Sequence, residues 1–94
     1  MIYELLEKMN AVGRENAISR KTLASLTGLS DRGIRKQIEN ERRQSMPILS
    51  STQSGGYYLL NSKFDLREYL AEQESRMASI RQSYLPMKRF YEEM

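Results

Sequence analysis

Residues 22–60, TLASLTGLSDRGIRKQIENERRQSMPILSSTQSGGYYLL, decide the fold of this chain. Apolar residues at helical spacing lead to Gly28, and a second helical pattern, rich in positive charge, follows it. A glycine at this point tolerates the positive φ that a tight turn between helices requires. The strand-like runs 48–51 and 56–60 flank the polar connection 52–55 and predict two antiparallel strands. The predicted order is therefore helix, turn, helix and hairpin.

Both helices of this unit carry start signals. Ser19 and Ser30 are predicted N-caps, because a serine hydroxyl can accept a hydrogen bond from a free backbone N–H. Asp31 suits the positive N-terminal end of its helix. The predicted buried positions are Leu23, Ala24, Leu26, Leu29, Ile34 and Ile38. Glu41 lies near this apolar stripe, so either the helix leaves the core there or the carboxylate pairs with a nearby arginine.

Two further elements complete the N-terminal part of the chain. Residues 2–10 are predicted to form a first amphipathic helix, because their apolar residues recur at helical spacing. Residues 16–18 are a candidate short strand. In the hairpin, Tyr57 and Leu59 share one face by the two-residue period, and we expect that face to pack on the buried side of the third helix.

The last third of the chain is predicted to be one long helix. Ser62 and Asp65 form a start signal, and apolar residues then alternate in steps of four and three, which is the spacing of a heptad seam. The seam residues are Leu66, Leu70, Gln73, Met77, Ile80, Tyr84, Met87 and Tyr91. Pro86 is predicted to kink or stop the helix near Tyr84. The helix either pairs with its twin in a second copy or folds back on the first helix at Ile2, Leu5 and Met9.

The composition argues against several classes of function. Residues 19–46 carry seven Lys or Arg against three acidic residues, in a chain whose net charge is +3, and this concentration favours a polyanionic partner. The chain has no Cys, no His, no phosphate-loop motif and no paired carboxylates at metal-binding spacing, so neither an enzyme nor a cofactor is predicted. The longest apolar run is 57–60, and Glu4 and Glu7 interrupt any secretion signal, so we expect a cytoplasmic protein without a membrane span.

The motif Leu23-x-x-x-Thr27-Gly28-Leu29-Ser30-x-x-x-Ile34-Arg35-x-x-Ile38 resembles the helix-turn-helix of winged-helix DNA-binding proteins. Its continuation, Pro47-Ile48-x-Ser50 and Gly56-Tyr57-Tyr58-Leu59, resembles the wing of small winged-helix proteins that are frequent in prophages and mobile elements of Firmicutes. The resemblance implies a mainly α fold with a small β-wing over residues 1–61, followed by a C-terminal helix over 62–94. The chain departs from the pattern at Glu41 and Ser45, where such proteins usually have Leu and Gly.

The resemblance also implies that the third helix enters the major groove of DNA while the wing touches the backbone or minor groove. The candidate base-reading residues are Arg32, Arg35, Lys36 and Glu39, although Glu39 fits a surface ion pair with Arg35 or Arg43 better. The candidate phosphate contacts are Arg20, Lys21, Thr22, Ser30, Arg43, Gln53 and Ser54. The candidate dimerisation residues are the seam positions from Leu66 to Tyr84.

Two functions fit these sequence features. The first is sequence-specific binding of double-stranded DNA, as a dimer, in transcriptional regulation or in phage and mobile-element replication or recombination. The second is a winged-helix adaptor that binds other proteins and no DNA, because a fold does not fix a function.

Overall fold

The computed structural model of the chain describes residues 1–51 and 55–94. The fold is mainly helical, with a small three-stranded antiparallel sheet and a long C-terminal helix. The elements are α1 (Ile2–Lys8), a 3₁₀ turn (Arg14–Asn16), β1 (Ile18–Ser19), α2 (Arg20–Thr27), α3 (Asp31–Arg43), β2 (Ile48–Ser50), β3 (Gly56–Leu59) and α4 (Lys63–Glu93).

The capping signals that were predicted for α2 and α3 are confirmed. The Ser19 hydroxyl accepts a hydrogen bond from the Thr22 N–H at 3.1 Å, and the Ser30 hydroxyl accepts one from the Gly33 N–H at 3.0 Å. Gly28 ends α2 in the left-handed conformation, at φ +75°. A short turn therefore connects the two helices, as the sequence predicts.

Two predicted core positions of this unit are wrong. Leu26 is 56% exposed and Leu29 is 41% exposed, whereas Leu23 is fully buried. The buried side of α2 is centred between Leu23 and Ala24, and at about 100° per residue Leu26 lies more than a quarter of a turn away from it. Leu29 lies in the turn itself, outside both helices. An eight-residue helix has room for only a narrow buried stripe.

The sheet has the strand order β1-β3-β2, and both pairings are antiparallel. Ile18 pairs with Tyr57, and Ile48 pairs with Leu59. As predicted, the Tyr57 and Leu59 face contacts the core against the helices. The main core consists of Ile2, Leu6, Ala11, Leu23, Ile34, Ile38, Ile48 and Leu59.

Both alternatives for Glu41 are wrong: α3 does not leave the core there, and the carboxylate forms no ion pair with an arginine among the described residues. Its side chain is fully buried, and its carboxylate accepts hydrogen bonds from the backbone N–H of Ile2 at 2.8 Å and of Tyr3 at 2.7 Å. The Gln37 side-chain amide donates a third bond at 2.8 Å. No side chain within α1 caps its own first turn. Glu41, in the last turn of α3, therefore caps the N-terminus of α1, and its negative charge lies at the positive end of α1.

The C-terminal helix begins where it was predicted to begin, because the Ser62 hydroxyl accepts a hydrogen bond from the Asp65 N–H at 3.2 Å. Of the predicted kink or stop near Pro86, the stop is wrong, since α4 continues through this residue to Glu93. Proline removes one donor and frees the carbonyl four residues earlier, which belongs to Gln82. Both residues are exposed, so water can satisfy that carbonyl.

The first half of α4 folds back onto the sheet, and its principal contact is with β2 rather than with α1, which was one of the two alternatives considered for this helix. Leu49 and Tyr58 point to this second face of the sheet and are buried. The Arg42 guanidinium lies 5.2 Å from the ring centre of Tyr69, and Arg14 forms an ion pair with Glu72 at 3.5 Å. The sheet is thus covered by α1 to α3 on one face and by α4 on the other.

We expect Glu41→Leu to destabilise the fold by about 3 kcal/mol, because it leaves the buried N–H of Ile2, the partly buried N–H of Tyr3 and the Gln37 amide without an acceptor. Glu41→Gln retains one oxygen and should cost about 1–2 kcal/mol. Urea unfolding followed by circular dichroism measures both. Glu39→Gln, on the exposed side of the same helix, is the control. An equally stable Glu41→Leu variant would contradict the capping role.

Ser45 has a φ of +69°, in the conformation that favours glycine, at the position where winged-helix proteins of the resembled kind usually carry Gly. We expect Ser45→Gly to raise the free energy of unfolding by about 0.5–1 kcal/mol, because it removes the Cβ clash of the left-handed backbone. Ser45→Ala keeps the Cβ atom and should give no gain. Thermal unfolding of the three proteins side by side tests this, and equal gains in both variants would refute it.

Candidate nucleic-acid interface

The exposed side of α3 carries a row of polar and charged side chains. Its opposite side is buried through Ile34, Ile38 and Glu41, so the row faces directly away from the core. All four residues predicted to read bases lie in this row. Together they line one shallow depression on the helix surface, formed by Arg32, Arg35, Lys36, Glu39, Asn40 and Arg43.

The cations of this row differ in their partners. Arg35 pairs with Asp31 and Arg43 pairs with Glu39, each across one turn of the helix. The pair between Arg43 and Glu39 is one of the two surface ion pairs that the sequence favoured for Glu39 over base reading. Arg32 and Lys36 form no ion pair with any residue in the described parts of the chain. These two side chains are therefore the cations of α3 most readily available to a ligand.

The first turn of α2 lies beside this row. Arg20 forms an ion pair with Asp31 and is half-buried, whereas Lys21 and Thr22 are exposed. The Tyr57 hydroxyl and then Asp31 raise the pKa of Arg20. Arg35 and then Arg20 lower the pKa of Asp31. Asp31 therefore connects α2 to α3 through two arginines.

Of the remaining predicted phosphate contacts, two already have partners within the chain and two lie outside the described residues. The Ser30 oxygen is engaged in capping α3, which leaves its O–H as a donor. Arg43 is exposed but paired with Glu39. Gln53 and Ser54 lie outside the described residues.

A cleft of about 570 Å³ lies between α3, the β2–β3 hairpin and α4. Four arginines from three helices line it, together with one carboxylate, that of Glu39: they are Arg20, Arg35, Arg42 and Arg76. Arg42 is fixed in place, because its Nε donates to the Ile48 carbonyl at 2.7 Å and its Nη2 to the Ser50 hydroxyl at 3.3 Å. The cleft thus collects positive charge next to the α3 row.

Three residues of this surface were missed in the sequence. Asn40 follows Lys36 by one turn, so a helical projection of α3 would have included it. Arg42 and Arg76 become neighbours only because α4 folds onto the sheet, and no local pattern carries that information.

The predicted dimerisation residues fall into two groups. Leu66 and Gln73 are half-buried against the domain, and Gln73 lines the arginine cleft. Leu70, Met77, Ile80 and Tyr84 are exposed, with 47%, 61%, 60% and 55% of their surface in solvent. From Met77 onward every residue of α4 is exposed.

A scan against protein-family models finds no match for this chain, and searches of curated proteins and of solved structures find none either. Among the described residues, no helix has the length and apolar content needed to cross a membrane. The same residues contain no group of three or more acidic, His or Cys side chains placed to hold a metal ion.

We expect the Asp31 pairs to make stability depend on pH. The folded-state pKa of Asp31 lies below its ordinary value, so its contribution is complete at neutral pH and is lost as the pH falls below about 4. Asp31→Asn should therefore lose less stability on acidification than the wild type. Urea midpoints measured across this pH range test the expectation. Arg35→Gln removes the largest cause of the shift and should give an intermediate slope, and identical slopes in all three proteins would contradict it.

Proposed function

We propose that this chain is a winged helix-turn-helix protein that binds double-stranded DNA through the exposed side of α3. The observation that carries the proposal is the basic row on that side, in which Arg32 and Lys36 have no carboxylate partner among the described residues. A helix of this width fits the major groove, where arginine and lysine can donate to guanine O6 and N7. Both residues lie in the first half of α3, which is the part that reads bases in helix-turn-helix proteins.

The two paired arginines of the row can contact DNA only by leaving their carboxylate partners. Arg35 and Arg43 are held by neighbouring carboxylates, so contact with a base or phosphate requires them to exchange one partner for another. Breaking the ion pair with the carboxylate offsets part of the binding free energy that the new contact supplies. A phosphate can replace the carboxylate as an anionic partner, whereas an uncharged surface cannot, so the exchange favours DNA. Glu39, freed in this way, could accept a hydrogen bond from cytosine N4.

The arginine cleft and the first turn of α2 support backbone contacts on either side of the row. Contacts to phosphates fix the orientation of a protein on DNA without reading its sequence. Lys21 is exposed at the N-terminal end of α2, where backbone N–H groups also favour an anion. Arg42 and Arg76 extend the basic surface from α3 toward the hairpin.

In this proposal the protein acts as a dimer through α4 and reads two half-sites about one helical turn apart. The function is transcriptional regulation, or an accessory role in the replication or recombination of a phage or mobile element. This part of the proposal rests on the resemblance and on the exposed apolar residues of α4.

A protein-binding adaptor is the second candidate function. The observation that favours it is the apolar stripe of α4, which is exposed over its whole C-terminal half. In that case the basic row would meet an acidic protein, and no duplex DNA would bind at low salt.

Fluorescence anisotropy with mixed duplex DNA at two salt concentrations tests the proposal. We expect Arg32→Ala/Lys36→Ala to weaken binding by at least about tenfold, because each lost contact to a base or phosphate costs about 1–3 kcal/mol. The control is Lys8→Ala/Arg89→Ala, which removes the same charge from α1 and from the far end of α4.

Three outcomes are informative. Equal weakening in both double variants would indicate only a general attraction of charge. Loss in the α3 variant alone would support reading by α3. Absence of binding by the wild type at low salt would refute the proposal and favour the adaptor.

A further inference from the structure

We propose that α4 pairs with α4 of a second copy of this chain in an antiparallel orientation, with the helices crossing near residues 78 and 79. This inference deepens the dimer of the proposed function and rests on it only for the idea that α4 pairs.

The first observation is the unpartnered second half of α4. Every residue from Met77 to Met94 is exposed, and this segment contains Pro86. A helical segment of this length standing alone in water is only marginally stable, and an internal proline weakens it further. A partner helix along the stripe formed by Met77, Ile80, Tyr84 and Met87 would supply the missing burial.

The second observation is the direction from which a partner can approach. In the first half of the helix, Tyr69, Glu72 and Arg76 face the domain of the same chain. Arg67 and Glu74 lie on the other side of the seam, beside Leu70. A second helix must therefore approach from the side of Arg67 and Glu74, and the charges on that side are the ones that it meets.

These charges distinguish the two orientations. Arg67, Glu74, Arg81 and Lys88 occupy the heptad position that follows Leu66, Gln73, Ile80 and Met87. With Met77 opposite Ile80 of the second copy, an antiparallel pair brings Glu74 next to Arg81 of the second copy, and this contact occurs twice by symmetry. A parallel pair would instead require Arg76, which lies on the domain side of its own helix, to lie next to Arg81 of the second copy, also twice. Beside the central layers of Met77 and Ile80, the antiparallel pair therefore has two attractions where the parallel pair has two repulsions.

Neither charge of the favourable pair is used within the chain. Glu74 and Arg81 form no ion pair with the described residues of their own chain. The contact of Arg67 with Lys88 of the second copy is unfavourable and, like the attraction, occurs twice by symmetry. It lies toward the ends of the paired segment, where long side chains can move apart into solvent.

The third observation is a shallow groove on the free side of the first half of α4. It has a volume of about 360 Å³, and Leu66, Leu70 and Ala71 form its apolar floor. In the same antiparallel register Met87 of the second copy lies opposite Leu70, and Tyr91 lies opposite Leu66. The exposed apolar residues of one copy thus cover the exposed apolar groove of the other.

Gln73 also finds a partner in this register. It lies opposite Tyr84 of the second copy, so that its amide and the tyrosine hydroxyl can form a hydrogen bond. A single polar layer of this kind fixes the register of paired helices at some cost in stability.

Sedimentation equilibrium on the full chain, without DNA, tests the orientation through one charge reversal. Arg81→Glu places Glu74 against a carboxylate in the antiparallel pair and should weaken dimerisation by about tenfold. The same change places Arg76 against a carboxylate in a parallel pair and would strengthen it. Glu74→Arg combined with Arg81→Glu should restore the wild-type affinity. Arg89→Glu, which points away from the seam, makes the same change in charge and should have no effect.

Disulfide cross-linking gives an independent test, because the chain has no cysteine of its own. A mixture of Gln73→Cys and Tyr84→Cys chains should form a mixed disulfide dimer. Self-crosslinking of Tyr84→Cys alone would identify a parallel pair and overturn the proposal. A wild-type chain that stays monomeric at all concentrations would overturn it too, and the stripe of α4 would then belong to a different protein. Neither assay involves α3, so failure of DNA binding would leave both results unaffected.

Discussion

The buried carboxylate of Glu41 holds the helical part of this fold together. It lies in the last turn of α3 yet satisfies the first N–H groups of α1, so two helices far apart in sequence share one polar contact inside the core. Burying a charge is costly unless hydrogen bonds compensate for it, and here three donors converge on the two oxygens. An apolar residue could fill the same space but would leave α1 without a cap. The orientation of α3 in the domain is thus specified by directional bonds as well as by packing.

The position of α3 determines what the rest of the surface can do. Its core side is occupied by Ile34, Ile38 and Glu41, which leaves the opposite side entirely free for a ligand. Asp31 ties the start of α3 to α2, and Arg42 ties its end to β2 and α4. The basic row is therefore carried by a helix that is fixed at both ends and along its length. In the proposed function this rigidity means that little conformational entropy is lost when α3 meets DNA.

The sequence predicted the features that depend on neighbouring residues. The serine caps, the Gly28 turn, the start of α4 and the grouping of Arg32, Arg35, Lys36 and Glu39 all follow from helical geometry and local hydrogen bonding. What it could not predict depends on contacts between distant segments. The role of Glu41 requires α1, the burial of Tyr58 requires α4, and the arginine cleft requires three helices to meet. The burial of Leu26 and Leu29 was overestimated, because hydrophobicity alone does not say how wide the buried stripe of a short helix is.

The cap that Glu41 provides has a consequence for the order of folding during synthesis. α1 is made before α3, and its capping residue follows Ile2 by 39 positions. At a translation rate of about 5–20 residues per second, Ile2 precedes its acceptor by about 2–8 s. A seven-residue helix without a cap does not persist in water, so α1 stays unformed over this interval. Its apolar residues are then available to whatever the nascent chain meets first, and folding of the N-terminal segment waits for the end of α3 to leave the ribosome.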